Sequence, residues 1–224
     1  DINGDSREDM VFRQINGTLT SNEDRTHILA VLGPLNANAT YDMAALPRWT
    51  LPFRVKSLLV CDHNGDGMPD LVVSKKQYRS EDIKRNSSFI GFYGKAGSGQ
   101  IFPWSDVSFT IWLDPLENRT AENVSFQDVD GDGARDLLLQ TRTWYRKRPQ
   151  DYWALPTNEY LIKNGTRALS GRLSRAEIGT ELIAERQDST AYGHYYLDHP
   201  LVSGNTMGDD GLELVSFERN FRPS

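Results

Sequence analysis

The spacing Asp-x-Asp/Asn-x-Asp-Gly/Ser-x-x-Asp occurs three times, at Asp1–Asp9, Asp62–Asp70 and Asp128–Asp136, each time running straight into an apolar stretch. Four oxygen-bearing side chains within nine residues make a short turn lined with hard ligands, and recurrence on a long period points to repeated structural units. In the second copy Asp62, Asn64, Asp66 and Asp70 supply the side chains, Gly65 and Gly67 let the turn wrap, and the Met68 carbonyl completes the set. The third copy offers four carboxylates, Asp128, Asp130, Asp132 and Asp136, with the Ala134 carbonyl, and is expected to bind most tightly. The first has Asp1, Asn3, Asp5 and Asp9 with the Arg7 carbonyl, but Ser6 stands where the others carry glycine, so it is expected to be weakest. Two to three Ca²⁺ ions are the implied cofactor.

A single cluster of Asp, Asn and Gly reads as a turn; three at matched spacing select the metal reading. The EF-hand alternative requires a bidentate Glu at position twelve, and the residues there are Phe12, Val73 and Leu139. The segments that follow, Met10-Val11-Phe12, Leu71-Val72-Val73 and Leu137-Leu138-Leu139, read as buried strands and not as an exiting helix. Near the C-terminus a degenerate fourth copy keeps Asn205, Asp209 and an acidic residue before Leu214-Val215, with Met207 in a ligand position, which reads as a unit that kept its shape and lost its metal.

The loop starts lie 61 residues apart (1 to 62) and then 66 (62 to 128), so units of about sixty residues are expected: 1–56, 57–122, 123–192 and a partial 193–224. After each loop strand comes a polar connection and a second strand ending at a glycine: Ile28 to Gly33, Phe89 to Gly94, and Tyr160-Leu161-Ile162 before Gly165. Val107–Trp112 and Val124-Ser125-Phe126 add further strands, while Ser174 to Glu177 has the form of a helix capping box that Gly179 interrupts. The expected fold is all-β, a β-propeller-type array of about three four-stranded antiparallel blades plus a partial one, with calcium loops between strands.

The loops leading into Asp-Leu-Val-Val and Asp-Leu-Leu-Leu, with the later glycine-turn strand, resemble the FG-GAP/VCBS repeats of integrin α-subunit propellers and of many secreted bacterial proteins. The resemblance implies that the metal loop, carried onto Asp62, Asn64, Asp66, Asp70 and their counterparts, joins the first two strands of a blade. Family propellers close with about seven blades, so open sheet edges able to self-associate are a further expectation.

The net charge is −6, and the ligand positions of the three loops hold ten carboxylates, so three bound Ca²⁺ would bring the total to about zero. Millimolar calcium fills such sites outside the cytosol, which makes an extracellular or cell-surface location the expectation. Six N-x-Ser/Thr sequons, at Asn16, Asn38, Asn86, Asn118, Asn123 and Asn164, are candidate glycan acceptors. The lone cysteine, Cys61, excludes an internal disulfide and reads as a small buried thiol.

His27, His63, His194 and His199 neither cluster nor show a metal-hydrolase spacing, and His63 is expected to point to solvent. No catalytic constellation stands apart from the metal ligands, so a non-enzymatic protein is expected. Trp144, Tyr145, Arg146, Arg148, Tyr152 and Trp153 gather aromatics and cations on a hairpin tip able to stack on sugars and neutralise anions. Nucleic acid is excluded by the acidic balance, and no stretch is long and apolar enough for a membrane span. The expected role is adhesion or recognition with a protein or glycan ligand. The alternatives are a strand-exchanging subunit of an extracellular filament, or a domain of a secreted carbohydrate- or lipid-active enzyme.

Overall fold

The computed structural model describes residues 1–16, 25–36, 38–75, 87–96, 100–113, 119–128, 135–144, 156–163, 168–174, 177, 181–187, 201–204 and 213–216, with the backbone alone at 15–16, 119, 142–144, 156–163, 181–187, 201–204 and 213–216. Strands β1 (Met10–Asn16), β2 (Arg25–Val31) and β3 (Arg48–Leu51) form a first antiparallel sheet in that order. A second is the meander β4 (Val55–Cys61), β5 (Asp70–Lys75), β6 (Ser88–Phe92) and β7 (Phe109–Trp112). In the third, β8 (Arg119–Gln127), β9 (Asp136–Trp144) and β10 (Pro156–Lys163) precede an excursion, β11 (Gly171–Ser174), before β12 (Glu181–Gln187) returns to pair with β10. The hairpin β13 (Leu201–Gly204) and β14 (Glu213–Ser216) is a fourth sheet. No helix occurs among the described residues, and none therefore is long and apolar enough to cross a membrane.

The apolar runs of β5 and β9 are covered on both faces, which is why they do not alternate with polar residues, whereas the run expected to be buried in β1 is not, Met10 being 50 % exposed and Val11 and Phe12 only partly buried. Leu71 and Val73 of β5 pack with Ile28, Ala30, Ile90, Phe92 and Trp104 between the first two sheets. Val72, one residue out of phase, packs on the opposite face with Phe89, Phe109, Leu137 and Leu139, between the second and third sheets. One strand thus serves two cores.

Three of the hairpins share one strand register. The residue before each loop pairs with the acidic residue that ends it: Cys61 with Asp70, Gln127 with Asp136, and Gly204 with Glu213. Each connection, 62–69, 128–135 and 205–212, has the same length, so the fourth copy keeps the hairpin of the others. The expected bounds 56/57 and 122/123 fall within β4 and within β8 respectively. A break inside a strand would split a hydrogen-bonded ladder, whereas loops tolerate one.

Two departures come from contacts between units. The second sheet has a fifth strand, because β11 leaves the third unit and pairs in parallel with β7, Gly171 opposite Phe109 through Ser174 opposite Trp112. The neighbouring edge strands β4 and β8 lie against each other, and both carry a bulge, at Val55/Ser57 and Ala121/Val124. Lys56 and Glu122, six residues before Asp62 and Asp128, sit at those bulges and form a largely buried ion pair across the junction. The Ser74 hydroxyl donates to the Glu122 carbonyl beside it (2.8 Å), and Thr120 Oγ1 to Glu122 Oε1 (2.7 Å). Glu122 is therefore hydrogen-bonded as well as paired, which a buried charge requires.

At Ser174 the capping-box bond does form. The Ser174 N–H donates to Glu177 Oε2 (2.6 Å), but on a turn, from which the chain enters β12 at Glu181.

Candidate metal centre

Loops one and two are built the same way, 61 residues apart, with one bond more in loop two, from the Asn64 N–H to Asp70. Asp1 Oδ1 accepts the N–H groups of Gly4 (2.7 Å) and Asp5 (3.2 Å), and its Oδ2 that of Ser6 (2.7 Å). Asp62 does the same for Gly65 (2.8 Å), Asp66 (3.1 Å) and Gly67 (2.9 Å). Asn3 Oδ1 accepts from Asp5 N–H and Asn64 Oδ1 from Asp66 N–H, both at 3.0 Å. Asp5 then accepts from Arg7 (2.9 Å) and Asp66 from Met68 (2.8 Å), so successive Asx turns wind each loop.

The winding requires left-handed backbone at two points. Gly4 and Gly65 take φ of 80° and 77°, and Gly67 takes 82°. Ser6, the expected weak point, takes 65° without the freedom of glycine, a conformation costing an ordinary residue roughly 1–2 kcal/mol.

The last aspartate of each loop faces inward. Asp9 accepts from Ile2 N–H (2.7 Å) and Gly33 N–H (2.8 Å); Asp70 accepts from His63 (2.9 Å), Asn64 (3.2 Å) and Gly94 (2.9 Å). Gly33 and Gly94 close the second strand of each unit, and each lies 24 residues past its aspartate. A Cβ would stand 2.6 Å from the Glu8 carbonyl at Gly33 and 2.6 Å from the Pro69 carbonyl at Gly94, so only glycine lets that turn lie on the loop. Reading the residues type by type misses this tie, although the common 24-residue offset was available in the sequence.

Asp70 is fully buried, and burial pushes its carboxyl up to about 6 against the downward pull of its three amide donors. Asp1, Asn3, Asp5 and Asp66 are exposed, and Asp9, Asp62 and Asn64 half-buried. Among the described residues, no three Asp, Glu, His or Cys side chains converge closely enough to hold an ion. The donor chemistry nonetheless fits a hard cation. A carboxylate has about four acceptor positions, and Asp62 and Asp70 each accept three N–H groups, leaving capacity for a metal.

In the third copy Asp128 is half-buried and Asp136 buried, while Asp130, Asp132 and Ala134 lie outside the described residues. Of the aromatic and cationic set, Trp144 ends β9 and Tyr145, Arg146, Arg148, Tyr152 and Trp153 lie outside, as do Asn86, Asn118 and Asn164 of the sequons and His194 and His199.

One expectation is overturned. His63 does not point to solvent; it is fully buried, its ring 5.6 Å from Phe109, 5.8 Å from Phe126 and 6.3 Å from Tyr93. Its N–H bond to Asp70 turns the side chain away from the loop's open side and into the junction with the third sheet, where an imidazole fills an aromatic gap. Cys61 is half-buried, and burial together with Asp70 and Asp62 pushes its thiol up to about 12, which makes it a poor nucleophile.

Comparison with known protein families, with curated proteins and with solved structures finds no match to the chain.

Proposed function

We propose that the chain is an extracellular, calcium-stabilised module of β-propeller type for adhesion or recognition, non-enzymatic, with a protein or glycan as ligand. The observation that carries this reading is the shared hydrogen-bond pattern of loops one and two, each tied to a glycine turn 24 residues past its last aspartate. The recurring hairpin register supports treating the sheets as successive blades, and the resemblance to FG-GAP/VCBS repeats supplies the metal and the class of role. Asp62, Asn64, Asp66, Asp70 and the Met68 carbonyl would hold the ion in loop two, and the first and third sets would do so in their loops. Calcium would neutralise carboxylates that otherwise repel one another, fixing the blades so that the intervening loops present a rigid contact surface.

Thermal melting in calcium and in EDTA tests this. At a free concentration a hundred times Kd, each occupied site stabilises the fold by about 2.7 kcal/mol, and Asp66→Ala is expected to remove one site's share while leaving the EDTA melting point nearly unchanged. Identical melting in calcium and EDTA would refute the metal reading.

A second reading, self-association by strand exchange, is favoured by one observation. β1 and β3 are the outer strands of the three-stranded sheet, with β2 between them. Light scattering that rises with protein concentration, and falls when β1 carries Val11→Pro, distinguishes it from a monomeric module.

A further inference from the structure

Two of the six sequons have described side chains, and their surroundings differ. Asn123 is half-buried at the β8 bulge, and its Nδ2 donates to Gln140 Oε1 (2.7 Å), a buried acceptor on β9. A sugar on that nitrogen would enter the space between β8 and β9. Asn38 stands in the connection between β2 and β3, exposed, with Thr40 exposed two residues on.

The turn around it is organised by Asn36. Asn36 Oδ1 accepts the Asn38 N–H (3.0 Å), its carbonyl accepts the Ala39 N–H (3.0 Å), and its own N–H donates to the Tyr41 hydroxyl (3.4 Å). These bonds engage the Asn38 backbone and leave its side chain facing outward. The same connection exposes Leu35, Tyr41 and Met43 at 39, 38 and 41 %, three of the six exposed large hydrophobic residues among those described. Three exposed apolar side chains thus share one connection with a candidate glycan acceptor.

We propose that Asn38 is an N-glycan acceptor, that the attached oligosaccharide shields Leu35, Tyr41 and Met43, and that Asn123 stays unmodified. The proposal rests on the extracellular reading for where the modification takes place. Asn38 Nδ2 attacks the anomeric carbon of a lipid-diphosphate-linked oligosaccharide. The N–C bond forms as the C–O bond to the diphosphate breaks, the lipid diphosphate leaves with the electron pair, and the amide proton passes to a base of the transferase. Nothing is oxidised or reduced.

The full chain is secreted from cultured eukaryotic cells behind a supplied leader and then treated with peptide amidase in heavy-oxygen water, which converts each glycosylated Asn to labelled Asp for peptide mapping. Label is expected at Asn38 and absent at Asn123. Asn38→Gln and Thr40→Ala should each abolish the glycan on this loop, whereas Thr40→Ser retains it. Deglycosylation should raise binding of an apolar fluorescent dye to the wild type and leave Asn38→Gln unchanged. A secreted chain with Asn38 unlabelled, or with label at Asn123, overturns the proposal, and the wild-type map decides even if a variant fails to fold. Because the leader is supplied, the acceptor test is independent of the protein's native destination, which is read separately from recovery of the endogenous protein outside cells.

Discussion

Replacing Asp70 with alanine is expected to lower stability by about 4 kcal/mol or more, because it strands three amide donors at once, each left unsatisfied at roughly 1–3 kcal/mol. Those donors belong to His63, Asn64 and Gly94, so the loss uncouples the start of the loop from the turn that ends the unit's second strand. For a chain of this size the melting point should fall by roughly 10 °C. Asp70→Asn separates hydrogen bonding from charge. An amide can still accept from the His63 and Asn64 side with its oxygen, but then turns an NH₂ toward the Gly94 N–H, so an intermediate loss is expected. Asp9→Ala is the internal control, with two donors instead of three on a half-buried aspartate, and should lose clearly less. Chemical denaturation in EDTA measures all three without a metal contribution; equal losses for Asp9→Ala and Asp70→Ala would contradict the role assigned to the buried carboxylate.

The second large effect is expected at Gly91, in the middle of β6. A Cβ there would lie 2.0 Å from the Phe109 ring on the neighbouring strand, well inside contact distance. Phe109 is fully buried, its ring tilted against those of His63 and Tyr93, and it shares a core with Leu137 and Leu139, so the ring has little room to yield. Gly91→Ala should therefore cost about 3 kcal/mol, at the upper end of overpacking effects. Phe109→Leu, itself destabilising through lost volume, should recover part of that loss when combined with Gly91→Ala. A double-mutant cycle reads the coupling, and strict additivity of the two substitutions would show that the ring is not what fills the glycine's space. Gly67 offers the contrast, since nothing stands within 4 Å of its Cβ position and only its φ of 82° opposes a side chain there.

Much of the strand order was legible because both cues were local. Asp/Asn/Gly clusters mark the turns, and the apolar triplets after Asp9, Asp70 and Asp136 mark the strands that leave them. The strands that went unread, β3, β11, β12 and β13, lack a long apolar run, as Arg48-Trp49-Thr50-Leu51 and Gly171-Arg172-Leu173-Ser174 show, and β11 in addition pairs with β7, a partner distant in sequence. His63 was misread for the same reason. Its position in an exposed turn is local information, while the rings of Phe109 and Phe126 that enclose it come from β7 and β8. Asp9 and Asp70 were read only as candidate ligands, and their bonds to a glycine turn 24 residues on went unread.

The passage of β11 onto the second sheet changes how the molecule would come apart under load. Leu169 is buried among second-sheet residues, its N–H and carbonyl both engage the Tyr93 hydroxyl, and Arg172 lies 5.1 Å over the Trp112 ring. Four parallel residue pairs then run along β7. Tension along the third unit is consequently borne by a strand pulled in shear, with its bonds resisting together, where a peripheral hairpin would unzip one rung at a time. Tugging on one unit would load its neighbour before either gives way.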